Sequence, residues 1–143
     1  MGYATRWSLL AGCGASVGAL IHIAAVLGGP SWYVFFRAPP FIVASARAGT
    51  WPAPTSALAI ALAMGICAAY AFSAAGRLPR LPLLRTGLAI VAVVCLLRGV
   101  LLVPFVVLHP SLVDTFAVVG SLVWLAVGAC FALSFLSCKA NPG

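Results

Sequence analysis

Residues 53–75 carry no charged side chain, and at about 1.5 Å of helical rise per residue they are long enough to cross a lipid bilayer. Residues 8–28, 84–105 and 112–137 are apolar over similar lengths. With 64% hydrophobic and only 6% charged residues, the chain lacks the polar side chains that would cover a water-soluble domain. We therefore predict an all-α fold, an integral-membrane antiparallel four-helix bundle, in which residues 1–143 form a single transmembrane domain with these four segments as its spans.

The connection between the first two predicted spans is rich in aromatic residues and proline. It is too short and too often interrupted to cross the membrane. Pro40 precedes an apolar stretch and Gly49 follows it, an arrangement typical of a helix of about two turns with proline near its start and glycine past its end. We expect this short helix to lie at the outer membrane–water interface and to pack over the mouth of the bundle.

The charge distribution indicates an orientation in the membrane. The net charge is +7, but the basic side chains flank apolar spans instead of forming a stripe with interleaved aromatics, which argues against nucleic-acid binding. Five basic residues would lie on one side of the membrane (Arg6, Arg77, Arg80, Arg85 and Lys139) and two on the other (Arg37 and Arg47). This excess predicts that both termini are cytoplasmic. The alanine-, leucine- and arginine-rich usage is typical of bacteria, so we predict a multi-pass protein of the bacterial inner membrane.

Arg98 lies inside a run that is otherwise apolar, CLLRGVLLVPF. An unpaired arginine deep in a membrane helix costs about 3 kcal/mol on insertion scales, so we expect Arg98 to be paired or hydrated. Asp114 is the one acidic residue, and a short connection makes the last two spans neighbours. The sequence therefore favours an ion pair between Arg98 and Asp114, either as a structural clamp or as part of an outward-facing site for an anion or polar head group. A third alternative is that Arg98 only reaches toward the outer head groups.

Helical spacing places further polar residues on faces that contact other helices. His22 shares a face of the first span with small residues, which allow a close helix contact. A histidine on such a face is either a hydrogen-bonded core residue or a ligand. Ser121 shares a face of the fourth span with Asp114. The candidate binding residues are Arg98, Asp114, His22, Tyr33, His109 and Ser121.

The sequence contains no arrangement typical of an active site. A haem held by His22 and His109 would need both imidazoles at one level, whereas His22 lies about two turns inside its span and His109 lies in a connection. One acid and two histidines are too few for metal-dependent hydrolysis. The five cysteines occur singly, and only Cys67 and Cys95 form a plausible pair by depth. We therefore predict no catalytic residue, no metal site and no cofactor.

Residues 22–39, HIAAVLGGPSWYVFFRAP, resemble a segment of small uncharacterised bacterial four-span membrane proteins, in which an H-x-x-A…G-x-P-x-Y-x-F-F-G-A-P-like stretch follows the first helix. An L-P-L-L-R turn before the third span, residues 81–85, is similar as well. The matching residues are His22, Ala25, Gly28, Pro30, Tyr33, Phe35, Phe36, Ala38 and Pro39. Arg37 stands where the resemblance implies glycine, and we expect it to alter the tight turn there. The layout is also similar to DoxX-type proteins, and the resemblance implies topology but no reaction.

These observations favour a non-enzymatic role. We expect an integral membrane protein that binds a lipid, a small amphiphile or a partner helix at its outer mouth, with membrane lipids and a homo-oligomer or partner membrane protein as its partners. The alternative is a small transporter or channel that works as an oligomer, since four spans rarely enclose a conducting path. A membrane enzyme is the third possibility.

Overall fold

The computed structural model describes residues 2–108 and 113–138, which form seven helices and no strand. The helices are α1 (Tyr3–Gly28), α2 (Pro30–Phe35), α3 (Pro40–Arg47), α4 (Pro52–Ala74), α5 (Leu84–Val100), α6 (Leu102–Leu108) and α7 (Thr115–Ser137). The predicted all-α fold is confirmed.

Four helical segments are long and apolar enough to cross a membrane, which confirms the four-helix bundle and a multi-pass membrane protein. They are Thr5–Gly28, Pro52–Ala74, Leu84–Leu108 and Thr115–Ser137. The third includes both α5 and α6 and ends at Leu108, where the sequence predicted an end at residue 105. The fourth begins at Thr115 and not at residue 112, because Asp114 caps that helix.

The chain divides into two compact units, and α1 and α4 are each shared between them. The first unit comprises the start of α1, the end of α4 and helices α5 to α7. The second unit, Ala15–Ile66, comprises the rest of α1, the short helices α2 and α3, and the start of α4.

In the first unit, α5 packs extensively against α7. A Cβ atom at Gly99 of α5 would lie only 3.0 Å from the carbonyl oxygen of Ser121. A Cβ atom at Gly128 of α7 would lie 3.0 Å from the backbone nitrogen of Leu96. Because no side chain separates the backbones at these two points, the helices approach closely and are held by van der Waals contact. We call the contact around Gly99 and Gly128 the glycine seam.

A stripe of buried residues runs along α5 at intervals of three or four and ends at the glycine seam. It consists of Leu84, Leu88, Ala92, Cys95 and Gly99. The helix itself ends at Val100, and α6 follows from Leu102. Pro104 has no N–H to bond the carbonyl of Val100, so the ladder of backbone hydrogen bonds is interrupted there.

The turn between α4 and α5 is closed by side-chain hydrogen bonds and by special backbone conformations. The Ser73 hydroxyl donates to the carbonyl oxygen of Pro79 at 2.8 Å and accepts from the N–H of Leu81 at 3.0 Å. Gly76 has a φ of 71°, which glycine adopts without strain. Leu83, the residue before α5, has a φ of 52°, in the left-handed region that a leucine side chain disfavours.

In the second unit, α2, α3 and α4 begin at Pro30, Pro40 and Pro52, where the missing N–H has no helical partner to lose. The helix predicted between Pro40 and Gly49 is present as α3, and Gly49 has the left-handed φ of 65° expected past a helix end. The structure adds α2, which the sequence did not predict. We call residues 29–51, which join α1 to α4, the cap segment.

Candidate functional site

The cap segment covers a small apolar core. Tyr33 of α2 and Ile42 of α3 are buried together with Ala53 and Ala57 of α4. Four partly buried apolar residues pack against this group, Val26, Ala38, Val43 and Ala46. Because Val26 belongs to α1, the core joins all four helices of the second unit. We call these residues the Tyr33 cluster.

The hydroxyl group of Tyr33 is buried without a partner. Tyr33 is 6% exposed, and its hydroxyl makes no hydrogen bond with any residue that the structure describes. Burial raises the pKa of the Tyr33 phenol above its ordinary value. A buried hydroxyl left unpaired costs about 1–3 kcal/mol, whereas nearly all buried polar groups in proteins are paired. A phenol in this position can donate a hydrogen bond to a bound molecule.

Ser45 joins α3 to the start of α4. Its hydroxyl oxygen accepts a hydrogen bond from the N–H of Ala53 at 3.0 Å and lies 2.9 Å from the hydroxyl oxygen of Thr50. The Thr50 hydroxyl also donates to the carbonyl oxygen of Ser45 at 3.2 Å. Ala53 lies in the first turn of α4, where N–H groups lack helical partners, so Ser45 acts as a cap for α4. This network holds α3, and with it Ile42, in place against Tyr33.

The exposed surface of the cap segment is aromatic and basic. Four of its aromatic side chains are exposed, Trp32, Phe35, Phe41 and Trp51. Arg37 and Arg47 are exposed as well. Exposed aromatic rings beside arginines are typical of protein surfaces at the membrane–water boundary, where rings lie among head groups and arginines attract anionic lipids.

Arg37 closes α2 in a conformation that normally requires glycine. Its φ is 55°. The N–H of Ala38 donates to the carbonyl oxygen of Tyr33 at 2.9 Å, and the N–H of Arg37 donates to the carbonyl oxygen of Val34 at 3.0 Å. These two bonds define a Schellman motif, in which the left-handed residue is usually glycine. The glycine that the resemblance implied would suit this backbone, and this chain forms the left-handed turn with arginine.

His22 forms a hydrogen bond within its own helix. Its Nδ1 atom lies 2.9 Å from the carbonyl oxygen of Gly18. Because a carbonyl oxygen only accepts, the proton of a neutral ring is on Nδ1, and Nε2 is left as an acceptor. His22 is half-buried and lies one helical turn before Val26, which packs against the Tyr33 cluster. His22 is thus a hydrogen-bonded residue, and its participation in binding stays a prediction.

The remaining predicted site residues belong to the first unit or lie outside the described residues. The carboxylate of Asp114 accepts a hydrogen bond from the N–H of Ala117 at 2.8 Å and thereby caps α7. Ser121 is buried on the same helix. Arg98 is exposed, and no ion pair between Arg98 and Asp114 is observed within residues 2–108 and 113–138. His109 lies outside the described residues.

The reason for the orientation of Arg98 is helical geometry. Arg98 directly precedes Gly99, and consecutive side chains on a helix point about 100° apart. Because Gly99 faces α7, Arg98 is turned away from that contact. The small residues Ala92, Cys95 and Gly99, spaced by three and four, carried the sequence signal for the buried face of α5.

The structure describes no metal centre. No group of three or more His, Cys, Asp or Glu residues that could hold a metal ion occurs among the described residues. Cys95 is buried and Cys67 is half-buried. Neither forms a disulfide. No protein-family profile, curated protein or solved structure matches this chain.

Proposed function

We propose that the chain is a non-enzymatic membrane protein that binds an amphiphile, either a lipid or a small lipid-like molecule, at the end of the bundle covered by the cap segment. The observation that carries the proposal is the unpaired, buried hydroxyl of Tyr33. In this position the phenol donates a hydrogen bond to an oxygen of the amphiphile's head group. The apolar residues of the Tyr33 cluster contact its hydrocarbon part.

The exposed surface of the cap segment supports this choice of ligand. Its rings and arginines form a boundary surface at which an amphiphile is already oriented, with its head group near the arginines and its chain toward the apolar spans. The cap segment is also held by the Ser45 network and by helix starts at proline, so it is ordered before binding. An ordered site loses less conformational entropy when it binds its ligand.

Localisation forms part of the same proposal. The excess of basic residues beside the turn between α4 and α5 supports an orientation with both termini in the cytoplasm of a bacterium and the cap segment on the outer side of its inner membrane. Reporter fusions at Gly49 and Gly76 test this orientation. We expect an external signal from Gly49 and a cytoplasmic signal from Gly76, and the reverse pattern would contradict the orientation.

The test of binding compares Tyr33→Phe with Tyr70→Phe, a matched loss of a hydroxyl that does have a partner, the carbonyl of Pro82 at 3.3 Å. Delipidated protein in neutral detergent is titrated with phosphatidylglycerol or phosphatidylethanolamine, and thermal unfolding and native mass spectrometry report binding. We expect the lipid to raise the unfolding temperature of the wild type and of Tyr70→Phe but not of Tyr33→Phe.

Without lipid, Tyr33→Phe is expected to be at least as stable as the wild type, because it removes an unpaired buried hydroxyl. Together these results separate a binding role from a structural one. A variant that loses stability without lipid and still responds to lipid like the wild type would contradict the proposal.

A further inference from the structure

Arg98 presents a charge on a surface that is otherwise apolar. Its side chain is exposed and makes no hydrogen bond, ion pair or ring contact within the part of the chain that the structure describes. The neighbouring side chains are aliphatic and about half exposed: Val94 and Leu97 of α5, and Leu101, its C-cap. Among the described residues, Arg98 is thus a cation surrounded by exposed apolar side chains on a candidate membrane span.

Arg98 lies too deep in its span for its guanidinium to reach the lipid head groups. Within the span Leu84–Leu108, Arg98 lies about 21 Å from the first residue and about 15 Å from the last at 1.5 Å per residue. An extended arginine side chain reaches about 6 Å along the helix, which leaves its guanidinium well inside the hydrocarbon. Arg85, at the start of the same span, is different, because it lies at the span's end and stacks over the ring of Phe135 at 5.1 Å.

We propose that this surface of α5 binds a transmembrane helix of another protein that carries an aspartate or glutamate near the middle of its span. A guanidinium and a carboxylate form two parallel charge-assisted hydrogen bonds. In a bilayer this pairing neutralises two buried charges at once. The aliphatic neighbours of Arg98 pack against the apolar remainder of such a helix. This surface is separate from the Tyr33 cluster, and the inference does not depend on the amphiphile.

Charge also decides against a second copy of this chain as the occupant. A two-fold symmetric contact through this surface brings two arginines together, which repel each other. The one acidic residue, Asp114, lies just outside the span Thr115–Ser137 and so at a different depth from Arg98. Anionic lipid is disfavoured by the depth argument above. Both remain outcomes that the experiment can detect.

The experiment uses the full chain, labelled with a donor fluorophore and reconstituted in phosphatidylcholine vesicles with or without phosphatidylglycerol. Synthetic leucine–alanine transmembrane helices that carry an acceptor are added. The probe helices have Asp, Asn or Leu at their central position. We expect energy transfer to show binding of the Asp helix at least about tenfold tighter than that of the Leu helix. Arg98→Leu is expected to abolish this difference, and Arg98→Glu to restore it with a helix that carries a central Lys.

A probe helix with its Asp moved two turns toward one end is the control for depth, and it is expected to bind like the Leu helix. Far-ultraviolet circular dichroism and thermal unfolding establish that Arg98→Leu is folded, which is expected because an apolar side chain replaces a lipid-facing one. Equal affinity for the Asp and Leu helices, or unchanged binding by Arg98→Leu, would overturn the proposal. So would self-association or phosphatidylglycerol enrichment that depends on Arg98 and displaces the probe helix.

Discussion

The glycine seam of the first unit and the cap segment of the second bring helices together by opposite means. At the seam, Gly99 and Gly128 remove side chains so that α5 and α7 touch through their backbones. In the cap segment, short helices begin at prolines and are joined by the hydroxyl groups of Ser45 and Thr50. The seam is therefore sensitive to added volume, and the cap segment is sensitive to the loss of a hydrogen bond. Substitutions that add volume at the seam, or that remove a hydrogen bond from the cap segment, test this comparison.

The largest effect is expected for Gly99→Ala. The added methyl group would lie 2.5 Å from the Cγ atom of Leu125 and 3.0 Å from the backbone oxygen of Ser121, and the backbone cannot move without separating α5 from α7. Overpacking of this kind costs about 1–3 kcal/mol, which exceeds the gain of up to about 1 kcal/mol from replacing glycine in a helix. Reversible unfolding in mixed detergent measures the difference in free energy.

Gly120→Ala is the matched control for that prediction. Gly120 also lies inside a helix, but an added Cβ there meets nothing within 4 Å. We expect Gly120→Ala to be neutral or slightly stabilising. A glycine seam that tolerates Gly99→Ala as well as Gly120→Ala would show that the close approach of α5 and α7 has no energetic importance.

The next effect in size is expected for Ser45→Ala in the cap segment. It removes the acceptor for the buried N–H of Ala53 and the partner of Thr50. Loss of a helix cap of this kind costs about 1–2 kcal/mol. Ser31→Ala is the control, because the Ser31 hydroxyl is exposed and bonds only to the carbonyl of Gly28 at 3.3 Å. Equal unfolding free energies for the two variants would show that Ser45 does not hold α3 against α4.

The sequence predicts the four spans and α3 because hydropathy, proline and glycine are local signals. It does not predict α2, which has six residues and so is too short to show a helical period. It does not predict which way Arg98 points, because α5 is apolar on nearly every side and its polarity cannot distinguish lipid from protein. Asp114 was predicted as an ion-pair partner of Arg98, whereas in the structure its carboxylate caps α7.

The candidate site is predictable only in part. His22 and Tyr33 are identified by the sequence as candidates, but the isolation of the Tyr33 hydroxyl depends on residues from three other helices that pack around it. Such an arrangement is a property of tertiary packing and leaves no pattern along the chain. Ser45 was missed for the same reason, since its partner Ala53 lies in the next long helix.

A third prediction concerns pH. Burial raises the pKa of Tyr33 in the folded protein above the value of 10.0 that applies when the chain is unfolded. The neutral phenol is thus favoured by folding, so its contribution is complete below pH 10 and is lost as the pH rises above the unfolded value. Between the unfolded and the folded pKa, the unfolding free energy falls by at most about 1.4 kcal/mol per pH unit.

The difference in unfolding free energy between the wild type and Tyr33→Phe separates the contribution of Tyr33 from those of other titrating groups. We expect the unfolding free energy of Tyr33→Phe, relative to the wild type, to be constant up to about pH 10 and to increase above it. Tyr70→Phe, whose hydroxyl is bonded and partly exposed, provides the comparison. A relative stability of Tyr33→Phe that stays constant through this range would show that the phenol is not isolated from solvent.

The smallest effect is expected for Leu83→Gly, and it has the opposite sign. Leu83 has a left-handed φ of 52° and is 77% exposed, so its side chain strains the backbone and contributes little packing. Glycine relieves the strain and is also a better residue than leucine before a helix, with an expected gain of about 0.5–1 kcal/mol. Leu78→Gly, in the same turn but without a left-handed φ, is expected to lose stability because glycine makes the unfolded chain more flexible. A gain in the first variant and a loss in the second would show that the turn between α4 and α5 is limited by backbone strain, and equal losses in both would contradict it.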